Sequence, residues 1–268
     1  MVDSHCHVFD LARFPYAADA AYKPPPVEQG TAAQFSALLD ANNVAHALLV
    51  NPTSGYGYDN RCMTAALRAS NGRFKGIARV RPDVADAELA SLAHAGVIGI
   101  RLDLIADGVA LLEHLAIDRL FAQVRALRWQ VHVQCEKDQL ALAASTLLAA
   151  QVPLVVDHCG RPDIARGLSQ PGFEALLQLG REGHAVKISG PFRFSLRPSP
   201  YEDVVPFIDA LLDTFTPARC VWGSDWPFLR MQDRPDYGGV LALLRCWLPD
   251  DDARRQVASE TPARLFGF

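Results

Sequence analysis

Two histidines near the start of the chain alternate with other residues: His5 and His7 in the run Val2-Asp3-Ser4-His5-Cys6-His7. In an extended strand, alternate side chains share a face, so these imidazoles project together. Such a pair can hold a metal ion or polarise a carbonyl. Further polar side chains recur where later strands should end. They are Arg101, then His132 and Gln134, then His158 with Arg161 and Asp163, then Ser189 and Arg193, and last Asp225. Imidazoles beside a carboxylate suit general acid–base chemistry. Guanidinium forks suit the binding of a substrate carboxylate. Taken singly, each residue has a plainer reading: a strand-end histidine or aspartate caps a turn, Arg101 pairs with an acid, and Arg161 pairs with Asp163 in Gly160-Arg161-Pro162-Asp163. Their recurrence after successive strands is what points to a site.

Eight short apolar runs can supply those strands: 2–8, 44–50, 74–80, 97–102, 129–135, 153–158, 185–189 and 219–222. Between them, apolar residues recur at three- and four-residue steps over 31–42, 59–70, 85–95, 117–127, 138–150, 171–182 and 202–214, with further helices expected over 236–247 and 251–266. Strands separated by helices pair in parallel, and eight such units predict an α/β fold, a single (β/α)8 TIM barrel over 1–268. Its active-site loops would lie at the C-terminal face. Two proline-bearing loops, 10–30 after the first strand and 190–201 after the seventh, fall on that rim. No repeat, low-complexity tail or interdomain linker interrupts the pattern.

The bulk numbers bound the function. With 268 residues, half of them hydrophobic, and a net charge of −4, the chain has no global basic footprint for nucleic acid or an anionic membrane. No stretch approaches the roughly 20 apolar residues of a membrane span. Six cysteines occur without a Cys-x-x-Cys pair and mostly within apolar runs, as buried reduced thiols would. With no run like a signal peptide, the expected location is cytoplasmic.

The opening His-x-His, the segment Asp157-His158-Cys159-Gly160-Arg161-Pro162-Asp163, the segment Val186-Lys187-Ile188-Ser189-Gly190-Pro191-Phe192-Arg193, and Trp222-Gly223-Ser224-Asp225-Trp226-Pro227 stand in order, each around the end of its strand. In this the chain resembles the amidohydrolase-related lactonases, closest to the 2-pyrone-4,6-dicarboxylate and sugar-acid lactonases, from residue 2 to the C-terminus. The resemblance implies a hydrolase that opens a carboxylate-bearing lactone. Asp225 is the expected general base, and His5, His7 and His158 converge on the ester carbonyl. Arg101, Arg161 and Arg193 are expected to hold the carboxylate, with Gln134, Ser54, Tyr56 and Asn60 adding substrate contacts.

It also bears on cofactors. The fourth strand lacks the lysine that binuclear relatives carboxylate, and Gln134 stands where mononuclear relatives carry a histidine ligand. No cofactor is therefore expected, and the alternative is one Zn²⁺ or Mn²⁺ at His5, His7 and Asp225. Two departures from the family pattern, 102–107 without an arginine and Phe228-Leu229 after the aspartate motif, predict a more apolar pocket and a less charged lactone. The rival readings are a metal-dependent decarboxylase or another mononuclear hydrolase, and a non-catalytic barrel that binds small acids. Composition leaves the oligomeric state open.

Overall fold

The computed structural model describes residues 1–268. Eight parallel strands run in sequence order. They are β1 (Val2–Cys6), β2 (His46–Val50), β3 (Phe74–Ala78), β4 (Val97–Asp103), β5 (Gln130–Gln134), β6 (Leu154–Val156), β7 (Ala185–Lys187) and β8 (Cys220–Val221). One long helix follows each: α1 (Ala32–Ala41), α2 (Arg61–Ala69), α3 (Asp86–His94), α4 (Ile117–Ala126), α5 (Gln139–Ala149), α6 (Pro171–Arg181), α7 (Val205–Phe215) and α8 (Tyr237–Trp247), with shorter helical turns between some of them. This is the expected (β/α)8 barrel. The last strands are shorter than their apolar runs, because the chain leaves extended geometry as it enters the site loops. None of the helices is long and apolar enough to cross a membrane.

The barrel closes between its first strand and the segment beyond its last. Ser4 N donates to Trp222 O, Asp225 N to His5 O and His7 N to Trp226 O, at 2.8–2.9 Å. Buried Asp3 reinforces the seam, its carboxylate accepting from Ser224 N at 2.9 Å and from the Tyr237 hydroxyl at 3.1 Å. Gly223 permits the approach, since a Cβ there would stand 2.7 Å from His5 Cβ and N.

Strand alternation divides the side chains. Ile100, Leu102, Val131, Val133, Val186 and Ile188 join the large apolar core between strands and helices. Their neighbours Arg101, His132 and Lys187 therefore face inward. The lower barrel is apolar: Leu48, Val50, Ile77 and Val221 pack with Phe266 from the C-terminal helix, Thr261–Phe266. All six cysteines are free, and five are buried.

Candidate active site

At the C-terminal end of the strands lies a cavity of about 680 Å³. His7, His158 and Asp225 line it together with Arg101, Arg161, Arg193, Gln134 and Ser54. A neighbouring groove shares the Phe192 and Met231 walls but carries no imidazole.

Asp225 is buried in the floor of the cavity, with its backbone in the left-handed region at φ 59°. Three imidazoles surround its carboxylate. His7 Nε2 lies 3.3 Å and His5 Nε2 3.8 Å from Oδ1, and His158 Nε2 lies 3.9 Å from Oδ2. Arg193 closes the fourth side, with both Nε and a terminal nitrogen 2.7 Å from Oδ2. Burial alone would raise the pKa of this carboxyl. Arg193, His158, His7 and His5 outweigh it and hold the group well below the usual carboxylate range.

Each imidazole is oriented from behind. His7 Nδ1 donates to Val50 O at 2.7 Å, because a backbone carbonyl only accepts. His158 sits past the end of β6 in a tight turn at φ 49°, not on the strand as expected. Its Nδ1 meets the Ser189 hydroxyl at 2.9 Å. Gly190 makes the room, since a Cβ there would lie 2.7 Å from His158 Nδ1. Burial is the largest influence on His158 and takes its pKa from 6.5 down to about 4. The folded protein therefore binds this proton later than the unfolded chain, and stability should fall as pH drops from about 6.5 toward 4. NMR titration of the His158 ring is expected to show a midpoint near pH 4. A midpoint near 6.5 would mean the ring is solvated.

His5 lies a layer below. It is fully buried, stays outside the cavity wall, and its Nε2 has no hydrogen-bond partner. Behind it is a group that sequence reasoning missed. Lys187 Nζ lies 3.0 Å from His5 Nδ1 and 2.9 Å from Asp157 Oδ1, and all three side chains are fully buried. The signal was present, because a lysine inside the apolar run Ala185–Ser189 needs a buried partner. Asp157, at the end of the adjacent run, supplies it. His132 lies deeper still, with both ring nitrogens unpartnered and Nδ1 3.9 Å from Asp157.

The arginines converge as expected. Arg101 bonds Thr53 Oγ1 at 3.0 Å and stands 3.8 Å from Asp103. Arg161 does not pair with Asp163. Its guanidinium lies 3.7 Å from Glu136, while Asp163 caps the turn at Ala165 N. The Nε atoms of Arg101 and Arg161 are buried and have no partner. The expected apolar wall after the Asp225 motif is only half present: Leu229 lines the cavity, but so does Arg230, a cation that sequence reasoning missed.

Two expected substrate contacts lie elsewhere. The Tyr56 hydroxyl donates to Phe14 O and accepts from Asp10 N, both at 3.1 Å, which fastens the first loop. Asn60 bonds the backbone of Arg79 on both sides, at 2.9 and 3.1 Å. Tyr56→Phe should therefore cost roughly 1 kcal/mol of stability and leave turnover near wild type. Lost turnover at unchanged stability would put the phenol back in the site.

The compact trio of metal-type ligands is His5, His158 and Asp225, with donor atoms within 4.8 Å of one another, rather than His5, His7 and Asp225. An ion there would compete with two cations that already stand beside these ligands. Arg193 covers Oδ2 of Asp225, and an ammonium abuts His5 Nδ1.

Residues 2–268 match the family model for amidohydrolases, and the chain belongs to that family. The 2-pyrone-4,6-dicarboxylate hydrolase of Comamonas testosteroni is 32% identical over 99% of this chain and 89% of its own. The 4-sulfomuconolactone hydrolase of Rhizobium radiobacter is 33% identical over the same shares. The crystal structure of a probable 2-pyrone-4,6-dicarboxylic acid hydrolase from Acinetobacter baumannii, with citric acid bound, superposes with a TM-score of 0.91 at 28% identity, covering 100% of this chain and 99% of that one.

Proposed function

We propose that this protein is a hydrolase that opens a cyclic ester carrying at least one anionic group, with Asp225 activating water and no metal ion taking part. The observation that carries the reading is a single buried carboxylate ringed by imidazoles at the floor of an arginine-walled cavity. Relatives spanning nearly the whole chain, named for pyrone dicarboxylate and sulfomuconolactone hydrolysis, support the substrate class.

Water enters beside Asp225, whose Oδ1 lies 3.3 Å from His7 Nε2. Asp225 takes a proton as the oxygen attacks the lactone carbonyl. With the Ser189 hydroxyl donating to Nδ1, His158 presents Nε2–H to the developing oxyanion. One donor so placed is typically worth about 3 kcal/mol. The acyl–oxygen bond then breaks, and Asp225 returns its proton to the leaving ring oxygen. The Arg101 and Arg161 side chains that line the cavity receive the substrate's anionic group, with Gln134 and Ser54 beside them and Arg230 at the rim. Arg193 leans on Asp225 and can turn to the substrate. Its departure removes the largest influence that lowers the base's pKa, so binding an anion makes Asp225 more basic.

The test is a panel of pyrone dicarboxylate, muconolactones and sugar-acid lactones, assayed with chelator and with added Zn²⁺. Ring opening of an anionic lactone at full rate in chelator is expected. Activity that appears only with metal, or decarboxylation without ring opening, would replace this reading with the metal-dependent one. Tight binding of the panel without turnover would favour the non-catalytic barrel.

A further inference from the structure

Lys187 is a charged side chain with no exposure, in a strand of three residues, and it touches neither the cavity nor solvent. Its ammonium lies between a carboxylate and an imidazole nitrogen, 2.9 Å from Asp157 Oδ1 and 3.0 Å from His5 Nδ1. An ammonium carries three donors and no acceptor. Burial lowers the pKa of the lysine, but the Asp157 carboxylate 2.9 Å away opposes this, and the pair keeps the ammonium charged. His5 Nδ1 must then accept. A neutral imidazole that accepts at one nitrogen bears its hydrogen on the other, and second groups of this kind commonly set the tautomer.

We propose that Lys187, ion-paired with Asp157, is a positioning residue that fixes His5 as its Nε2–H tautomer, so that His5 offers a proton to Asp225 and not a lone pair to a metal ion. Nε2 is the atom left without a partner, and Asp225 Oδ1 is the acceptor in front of it at 3.8 Å. His7 differs at that atom, since its Nδ1 carries a hydrogen that Val50 O accepts. The two histidines of the first strand therefore differ at Nδ1, which donates in His7 and accepts in His5. The Nε2–H also blocks the nitrogen that a metal at His5, His158 and Asp225 would need.

The role assigned to His5 rests on the hydrolase reading, but the tautomer can be measured without substrate. In full-length protein with ¹⁵N-labelled histidine, long-range ¹H–¹⁵N spectra are expected to show His5 protonated at Nε2 and bare at Nδ1, with the signals assigned by loss in His5→Gln. In Lys187→Met, the hydrogen is expected to move to Nδ1, where Asp157 Oδ1 at 3.3 Å accepts it. If the variant turns over an anionic lactone, kcat should fall about 10–100-fold with KM near wild type. Wild-type protein dialysed against Zn²⁺ should retain less than one ion per chain at this site. An Nδ1–H signal for His5 in the wild type, or one tightly held Zn²⁺ lost in His5→Gln, would overturn the proposal. The wild-type spectrum decides the matter even if Lys187→Met does not fold. A panel that yields no lactone turnover would overturn the hydrolase reading and leave the tautomer standing.

Discussion

Asp225→Asn is expected to lower turnover of an anionic lactone by about 10³-fold, within the range of a lost general base, while the fold and the affinity for the substrate persist. The amide keeps the shape of the carboxylate but cannot take a proton from water. It also removes the charge that Arg193 and the three imidazoles face. The loss should therefore fall on kcat, with KM constant or lower because Arg193 is freed for the substrate. Steady-state kinetics beside a thermal melt separate these effects. Turnover within about threefold of wild type would remove Asp225 from the role of base.

Asp157→Ala should have the largest effect on stability. Lys187 would keep a buried ammonium with no counter-charge, in a strand interior that water does not reach. Breaking one side of a buried pair typically costs about 3–5 kcal/mol. For a chain of this size that lowers the melting temperature by roughly 10 °C or more. Lys187→Met should cost less, because Asp157 can bond the Nδ1–H of His5 or take up a proton. A melting temperature for Asp157→Ala within about 2 °C of wild type would show that solvent reaches the lysine.

The architecture was legible in the sequence because each barrel unit repeats one physical signal. The amphipathic spacing over 117–127 and 171–182 appears as Ile117–Ala126 and Pro171–Arg181, with Leu120, Val124, Phe173 and Leu176 buried as that spacing requires. The place of the candidate site was legible where a residue's type and its position near a strand end coincide, as for His7, Arg101 and Asp225, which line one cavity. Legibility stopped where direction depends on backbone detail. His158 reads as the end of a strand, yet a left-handed φ at a non-glycine residue turns it into the cavity. Tyr56 stands on the correct loop, but its hydroxyl turns away to fasten residues 10–14. Arg230 follows two apolar residues that read as a wall, and the same kind of left-handed step, at φ 58°, accompanies its entry into the pocket. Lys187 and Asp157 were missed because neither residue reaches the rim. Their importance lies in the pairing, and pairing across strands is invisible until the register is known.

The most direct test of the central claim, water attacking an acyl carbonyl at Asp225, is a single turnover of the active lactone in H₂¹⁸O with chelator present. Mass spectrometry of the product should find one ¹⁸O in the newly formed carboxylate and none in the released hydroxyl, and Asp225→Asn should suppress the labelled product. Label in the hydroxyl, loss of CO₂ in place of ring opening, or an unlabelled product would contradict the account.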